Sequence, residues 1–420
     1  MNKNIKCAIP KWRFESFDSY PKWDIKKLGC LMEPIKERAG DKKYVLMSVT
    51  SGVGLIPQVE KFGREIAGNS YKNYYVIRKN DFAYNKSSTK EFPEGYISML
   101  KEYEEAAIPN SIFTCFRVIG DEYEPLFFDQ LFNTNYHGKW LRKYIEIGAR
   151  AHGALSIDTK YLWNMPVAVP KLPEQQKIAD CLSSIDDLIS AEEKKLSLLN
   201  DYKKGWMQKL FPAEGKTVPE WRFPEFKDDN NWKCVEIETV GKVITGKTPP
   251  TSNDSLWNGS IQFVTPTDIV GDKYQRLVQR TVVKTSKMKV LPKGTIMFTC
   301  IASVGKMAIS VYPCVTNQQI NSIITNKGYY NEFIYYSLFR NVNKIKSDLS
   351  NTTVPIINKT DFSKIQIFVT LNEKEQEKIA NFLSGIDELI SSQKGKIEKL
   401  KQHKKALMQG LFPAAEEVCK

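Results

Sequence analysis

A 39-residue segment occurs twice in this chain, and each copy carries the spacing of a long helix that cannot stand alone. Glu174–Pro212 and Glu375–Pro413 align without a gap, with 21 of 39 positions identical; both read K-I-A, then L-S-x-I-D-x-L-I-S, and both close on M-Q-x-L-F-P. Stepping by fours and threes, the first copy presents Ile178, Leu182, Ile185, Ile189, Glu192, Leu196, Leu199, Lys203, Trp206 and Leu210. The second presents Ile379, Leu383, Ile386, Ile390, Gln393, Ile397, Leu400, Lys404, Leu407 and Leu411. Such alternation, sustained over several heptads, is the seam of a coiled coil. Pro173 suits a first helical turn, Asn372 and Glu375 are placed for a capping box, and Pro212 and Pro413 stop propagation. At ~1.5 Å per residue each helix runs on the order of 55 Å. Gly205, Gly385 and Gly395 each cost roughly 1 kcal/mol relative to alanine, so these helices depend on packing. The expected partner of each is the other copy, antiparallel; packing of each helix on its own module is the alternative. The polar breaks Glu192/Gln393 and Lys203/Lys404 fall at matching places, which suits the setting of register. Lys203 and Lys404 are expected to reach Asp387 and Asp186 across the seam.

A shorter echo lies upstream of each copy. Pro10, Trp12, Arg13, Phe14, Phe17 and Trp23 reappear as Pro219, Trp221, Arg222, Phe223, Phe226 and Trp232. The chain therefore divides into a first module (1–172), a spacer helix (173–212), a second module (213–371) and a second spacer helix with its tail (372–420). Between the repeated anchors the modules do not resemble each other. Runs broken by glycine and proline suggest strands at Tyr44–Val49, Tyr74–Ile77 and Ile112–Phe116, then at Gln262–Val264, Thr295–Phe298 and Ile320–Ile324, with a helix over Tyr330–Phe339. The expected fold class is α+β: two globular domains separated by two long helices forming an antiparallel coiled coil, a pseudo-two-fold tandem repeat.

Charge locates the partner. The chain carries a net charge of +13, and the excess lies in the modules: 26 basic against 20 acidic residues in 1–172, and 20 against 13 in 213–371. Two basic modules on nearly neutral connectors suit a polyanion. Eight scattered cysteines without a C-x-x-C pair, only three histidines, no apolar run near ~18 residues and a polar N-terminus point to a cytoplasmic protein without structural zinc.

Catalytic motifs are mostly excluded. Gly241–Thr248 reads G-K-V-I-T-G-K-T, a full phosphate-loop pattern. That pattern needs a helix at its lysine, whereas Pro249-Pro250 and a polar run follow; a strand entering a basic turn is the better reading. A methyltransferase tetrapeptide N/D-P-P-Y/F is absent, and Glu225-Phe226-Lys227 is only a fragment of a nuclease motif. The polar segments that remain suit base or phosphate contact, since Asn and Gln pair with adenine and Lys, Ser and Thr hold phosphate. The candidates are Asn85, Lys86, Ser87, Arg150 and His152 in the first module. In the second they are Lys247, Thr248, Thr265, Ser303, Lys306, Asn317, Gln318 and Gln319. A coiled-coil scaffold without DNA and a P-loop nucleotidase are the alternatives to a DNA reader.

The duplicated Q-x-K-I-A-x-x-L-S-x-I-D helix, the opening P-x-W-R-F, Gly246–Pro249 (G-K-T-P) and Thr316–Ile320 (T-N-Q-Q-I) resemble the specificity subunit of type I restriction-modification enzymes. Gly63-Arg64-Glu65, Asp81–Asn85 and Gly148–Gly153 are similar to that family's recognition domains. The resemblance spans nearly the whole chain. It implies that each module reads one half of a bipartite site in double-stranded DNA. It also implies that the helices fix the half-site separation and dock two methyltransferase subunits. Endonuclease subunits with ATP-driven translocation join the fuller complex. S-adenosylmethionine, ATP and Mg are then expected only in those partner subunits; this chain is expected to bind no cofactor or metal, to be non-catalytic and to need no membrane.

Overall fold

In both modules the strand after the opening motif pairs antiparallel with the strand that delivers the long helix. Trp23–Lys27 pairs with Pro166–Val169, and Lys233–Glu236 with Gln366–Val369. Each module is thus closed by its own two ends, and the chain passes into helices spanning Leu172–Leu210 and Glu373–Leu411. The computed structural model describes residues 7–67, 69–145, 157–286, 288–349 and 355–418. They form two units, Met1–Ala191 with Ile397–Lys420, and Glu192–Lys396. The expected class holds: α+β modules alternating with long helices.

In the first unit a four-stranded antiparallel sheet runs in the order Met32–Pro34, Phe113–Val118, Phe82–Asn85, Tyr96–Met99. A helix at Pro125–Asn133, which the apolar runs did not reveal, packs Phe127, Phe128 and Phe132 onto Trp23, Phe82 and Phe116. In the second unit the main sheet orders Gly241–Thr245, Ile320–Thr325, Ile296–Thr299, Met307–Ser310 and Tyr274–Gln275, the last pair parallel. A three-stranded sheet places Trp257–Val264 between Arg280–Val282 and Cys314–Thr316. The helix expected over Tyr330–Phe339 spans Asn331–Asp348, and the strand expected from Tyr44 begins at Met47.

The seam is antiparallel within each unit. In the second, the Gln393 amide donates to the Glu192 carbonyl at 2.9 Å, Lys203 meets Asp387 at 2.6 Å, and Trp206 meets Phe382 with centroids 5.1 Å apart, so rising numbers face falling ones. In the first, Lys404 meets Asp186 at 2.6 Å, and Ile178 and Leu182 share a core with Met408 and Leu411. Both lysine–aspartate pairs form as the repeat implied. Ile189, Ile379, Leu383, Ile386, Ile390 and Ile397 are also buried, while Ile185, Leu196, Leu199 and Leu400 are half-buried.

The repeated opening motif docks on the repeated helix. The Arg13 guanidinium donates to both Glu174 oxygens (2.8 and 2.7 Å) and to the carbonyls of Tyr20 and Pro21. Arg222 does the same to Glu375 (2.7 and 2.8 Å) and to the carbonyls of Asp229 and Asn230. The next residue repeats as well. Gln175 accepts the Glu124 N–H at 2.9 Å and Gln376 the Tyr330 N–H at 2.7 Å, each just before a module helix. This corrects the expected capping box. Asn372 does cap the N–H groups of Lys374 and Glu375, but the Glu375 carboxylate is taken by Arg222 and the Thr370 hydroxyl. A charge-assisted two-point bond outcompetes a single backbone donor.

Candidate nucleic-acid interface

Most of the polar segments singled out in the second module converge where strand ends meet. Trp257–Val264 runs parallel to Cys314–Thr316, and the Asn317 N–H donates to the Val264 carbonyl. Gly241–Thr245 pairs with Ile320–Thr325, so the G-K-T turn leaves its strand beside T-N-Q-Q. The Lys247 N–H donates to the Thr316 carbonyl at 2.9 Å, and the Thr248 hydroxyl to Gln318 Oε1 at 2.7 Å. Gly246 makes the crossing possible. A Cβ there would stand 2.2 Å from the Asn317 carbonyl oxygen and 2.3 Å from that of Thr316, too close for any side chain. A turn, not a helix, follows Lys247, so the phosphate-loop pattern here is a strand entering a basic turn.

Around this crossing the side chains divide by exposure. Lys247 and Gln318 are exposed; Thr248, Thr265 and Gln319 are half-buried. Asn317 is buried, its amide donating to Gln319 Oε1 at 2.9 Å and accepting the Gln319 N–H. Thr265 donates to Asp268 at 2.7 Å, which fixes its turn. The adjoining hairpin is tied in through the Cys300 N–H, which donates to the Gln319 carbonyl at 2.7 Å. Within it Ser303 is half-buried, and Lys306 is exposed at a cleft of about 470 Å³ that Ser303 and Lys346 also line. The arrangement offers cations at its rim and amides fixed by one another, with spare N–H donors on Gln318.

The first module is built differently. Asn85, at the end of Phe82–Asn85, is buried; its amide donates to the Val49 carbonyl at 3.4 Å and accepts the Ser87 N–H at 2.9 Å. Its side chain thus braces the neighbouring hairpin Met47–Thr50/Gly54–Pro57. Lys86 and Ser87 are half-buried, and burial pushes the Lys86 ammonium below its ordinary value. Asn85 and Ser87 line an open cleft of about 620 Å³ with Thr50, Ser51, Lys61 and Phe92. Burial also depresses Lys61, and the hydroxyls of Thr50 and Ser51 are buried without a protein partner. None of these four stood out in the sequence, since the turn Thr50–Gly52 looks like any hairpin. Arg150 and His152 lie outside the described residues.

Among the described residues, no group of three or more His, Cys, Asp or Glu is placed to hold a metal ion, and no helix is long and apolar enough to cross a membrane.

The family model described as "Type I restriction modification DNA specificity domain" matches residues 31–201 and again 229–402. The chain therefore belongs to the type I restriction-modification specificity-subunit family. Among similar proteins is the type I restriction enzyme MjaIX specificity subunit of Methanocaldococcus jannaschii, 32% identical over 193 residues, covering 42% of this chain and 44% of that one. Another is the type I restriction enzyme HindI specificity subunit of Haemophilus influenzae, 31% identical over 172 residues, covering 39% of this chain and 38% of that one. Each match spans less than half of the relative's length. The S subunit of a type I restriction-modification system from M. genitalium shares the fold with a TM-score of 0.60 at 14% identity, covering 96% of this chain and 99% of that chain.

Proposed function

We propose that the chain is the DNA-recognition subunit of a type I restriction-modification complex. Each module reads one half of an asymmetric, interrupted site in double-stranded DNA. The long helices set the half-site separation and dock two methyltransferase subunits; endonuclease subunits join the larger assembly. S-adenosylmethionine, ATP and Mg belong to those partners, and this chain contributes recognition without catalysis. The observation that carries this reading is the division of the chain into a repeated frame and two basic, unrelated modules, in a family named for DNA specificity. Because the modules differ, the two half-sites differ.

Exposed Lys247 and Lys306 suit phosphate contact, and the fixed amides of the crossing suit base edges in a groove. The test is exchange of residues 24–171 for the matching segment of another family member, read by sequencing the DNA motif selected or methylated. The expected result is a change in one half-site with the other retained. A change in both halves, or in neither, sinks the modular reading. Duplex binding that does not weaken as salt rises from 50 to 200 mM, a range over which a protein making 6–10 phosphate contacts loses roughly 10³–10⁵ in affinity, sinks the nucleic-acid reading altogether.

A further inference from the structure

The aspartate of the repeated L-S-x-I-D sits at a three-way junction in both units. In the second unit Asp387 accepts the Tyr336 hydroxyl at 2.5 Å and the Lys203 ammonium at 2.6 Å. Tyr336 is on the module helix Asn331–Asp348, and Lys203 is on the opposite long helix. In the first unit Asp186 accepts the Gln130 amide at 2.9 Å and the Lys404 ammonium at 2.6 Å. Gln130 and Tyr336 each stand sixth in a module helix whose preceding residue is held by the repeated glutamine. The place is the same, yet one copy supplies an amide and the other a phenol. Nothing in the sequences of the two module helices announces the equivalence.

The junction adds directional bonds to three elements that share one apolar core in each unit. Apolar contacts are non-directional, whereas a hydrogen bond weakens steeply once its angle closes toward about 120°. The second junction is the more heavily braced. Lys273, itself buried, donates to Glu332 at 2.9 Å and to Ser384 at 2.5 Å, and Ser384 precedes Asp387 by one helical turn. The Tyr274 hydroxyl also donates to Glu332. Burial opposes ionisation of Glu332, but the bonds from Tyr274 and Lys273 outweigh it and hold the carboxyl below its ordinary value. Among the described residues the first junction has no such second tier, and Gln130 Oε1 is buried without a partner.

We infer that Asp186 and Asp387 are positioning residues that fix the angle of each module on its helix pair and so restrict the half-site separation the protein accepts. This rests on the bipartite reading above. Each added base pair moves a half-site by about 3.4 Å and turns it by about 35°. To follow that turn a module must rock on its helices and break the directional bonds at the junction. One hydrogen bond to a charged group is worth about tenfold or more in an equilibrium constant, enough to separate one spacing from the next.

The test uses the full chain and a duplex library with randomised half-sites and variable gaps, sequenced after selection. Tyr336→Phe removes only a hydroxyl, and Lys203→Met keeps an unbranched apolar stem while removing the ammonium that meets Asp387, so both are expected to fold; Gln130→Met probes the other unit. The expected result is retention of the wild-type bases in both halves, with preference for the native gap over one a base pair longer reduced about tenfold. Lys203→Arg should keep the native gap. Tyr336→Phe and Lys203→Met proteins that bind as tightly as wild type with the same gap profile overturn the inference. So does altered base preference at unaltered gap, because the junction would then act on the reading surface. A wild-type chain that selects sequence but no interrupted motif overturns the bipartite reading, and the inference with it.

Discussion

Glu375→Ala isolates the strength of the repeated dock between opening motif and long helix. The carboxylate is fully buried and the Arg222 side chain only 6% exposed, so the substitution strands a guanidinium in the protein interior. Breaking a buried pair from one side costs about 3–5 kcal/mol. The low end applies here, because Arg222 keeps the carbonyls of Asp229 and Asn230. The strand pair Lys233–Glu236/Gln366–Val369 lies immediately beside the dock and reports on it. At 1.4 kcal/mol per decade, protection of its amides against hydrogen exchange should fall about a hundredfold or more. Two controls set the scale. Lys378→Ala breaks an ion pair with Glu225 whose side chains are 44% and 45% exposed, and solvent screening should make its effect on protection far smaller. The double substitution Arg222→Leu with Glu375→Leu removes both charges and should recover much of the lost protection. If Glu375→Ala costs no more than Lys378→Ala, or if the double variant is as exposed as the single, the dock is ordinary packing and its polar character contributes nothing.

Three further outcomes are expected. His137 is fully buried, burial pushes its imidazole down to about 4, and Nδ1 has no partner. The unfolded chain therefore binds the extra proton between about pH 6.5 and 4, so stability at neutral pH is lost as pH falls through that window, by about 3 kcal/mol in all; thermal melts of His137→Leu should show a flatter pH dependence. Gly246→Ala should lower the melting temperature of the second unit, because its Cβ meets backbone oxygens that cannot yield, and a melt unchanged within error contradicts the crossing. Lys247→Ala should weaken DNA binding about equally across sequences and reduce the slope of log affinity against log salt by about 1; an unchanged slope removes Lys247 from the phosphate-contacting set.

What the sequence disclosed follows from what repeats. Lys203–Asp387 and Lys404–Asp186 were legible because helical periodicity fixes which residues face a seam. The Arg13–Glu174 and Arg222–Glu375 pairs were not, although all four residues repeat. No periodicity links an opening loop to a helix start more than a hundred residues later. The glutamates do carry a usable signal, being identical polar residues off the apolar stripe. Gln130 and Tyr336 were hidden more deeply, since their chemistry differs between copies and only the fold aligns them. G-K-T and T-N-Q-Q came together because each flanks a strand and those strands pair. Asn85 shows the reverse. A polar residue in a loop-like run suggests solvent, but at a strand end it satisfies a neighbouring hairpin and is buried.

The repeated polar positions also explain how one frame can carry two unrelated modules. Glu174 and Asp186 are twelve residues apart on the first long helix, as are Glu375 and Asp387 on the second, a span of about 18 Å along the axis. A module gripped at one point by directional bonds can still pivot about it; gripped at two points that far apart, it cannot tilt along the helix without breaking one. The glutamate grip is supplied by the opening arginine, outside the variable segment, and the aspartate grip by whatever donor the module helix brings. A transplanted module should therefore seat correctly only if its sixth helical residue can donate a hydrogen bond. A chimera carrying leucine there should fold, and should bind its own half-site in isolation, yet lose discrimination between gap lengths. Replacing that leucine with glutamine should restore it. A leucine chimera with full gap discrimination would show that packing alone orients the module, and that the identity of the repeated aspartate reflects only its pairing with lysine.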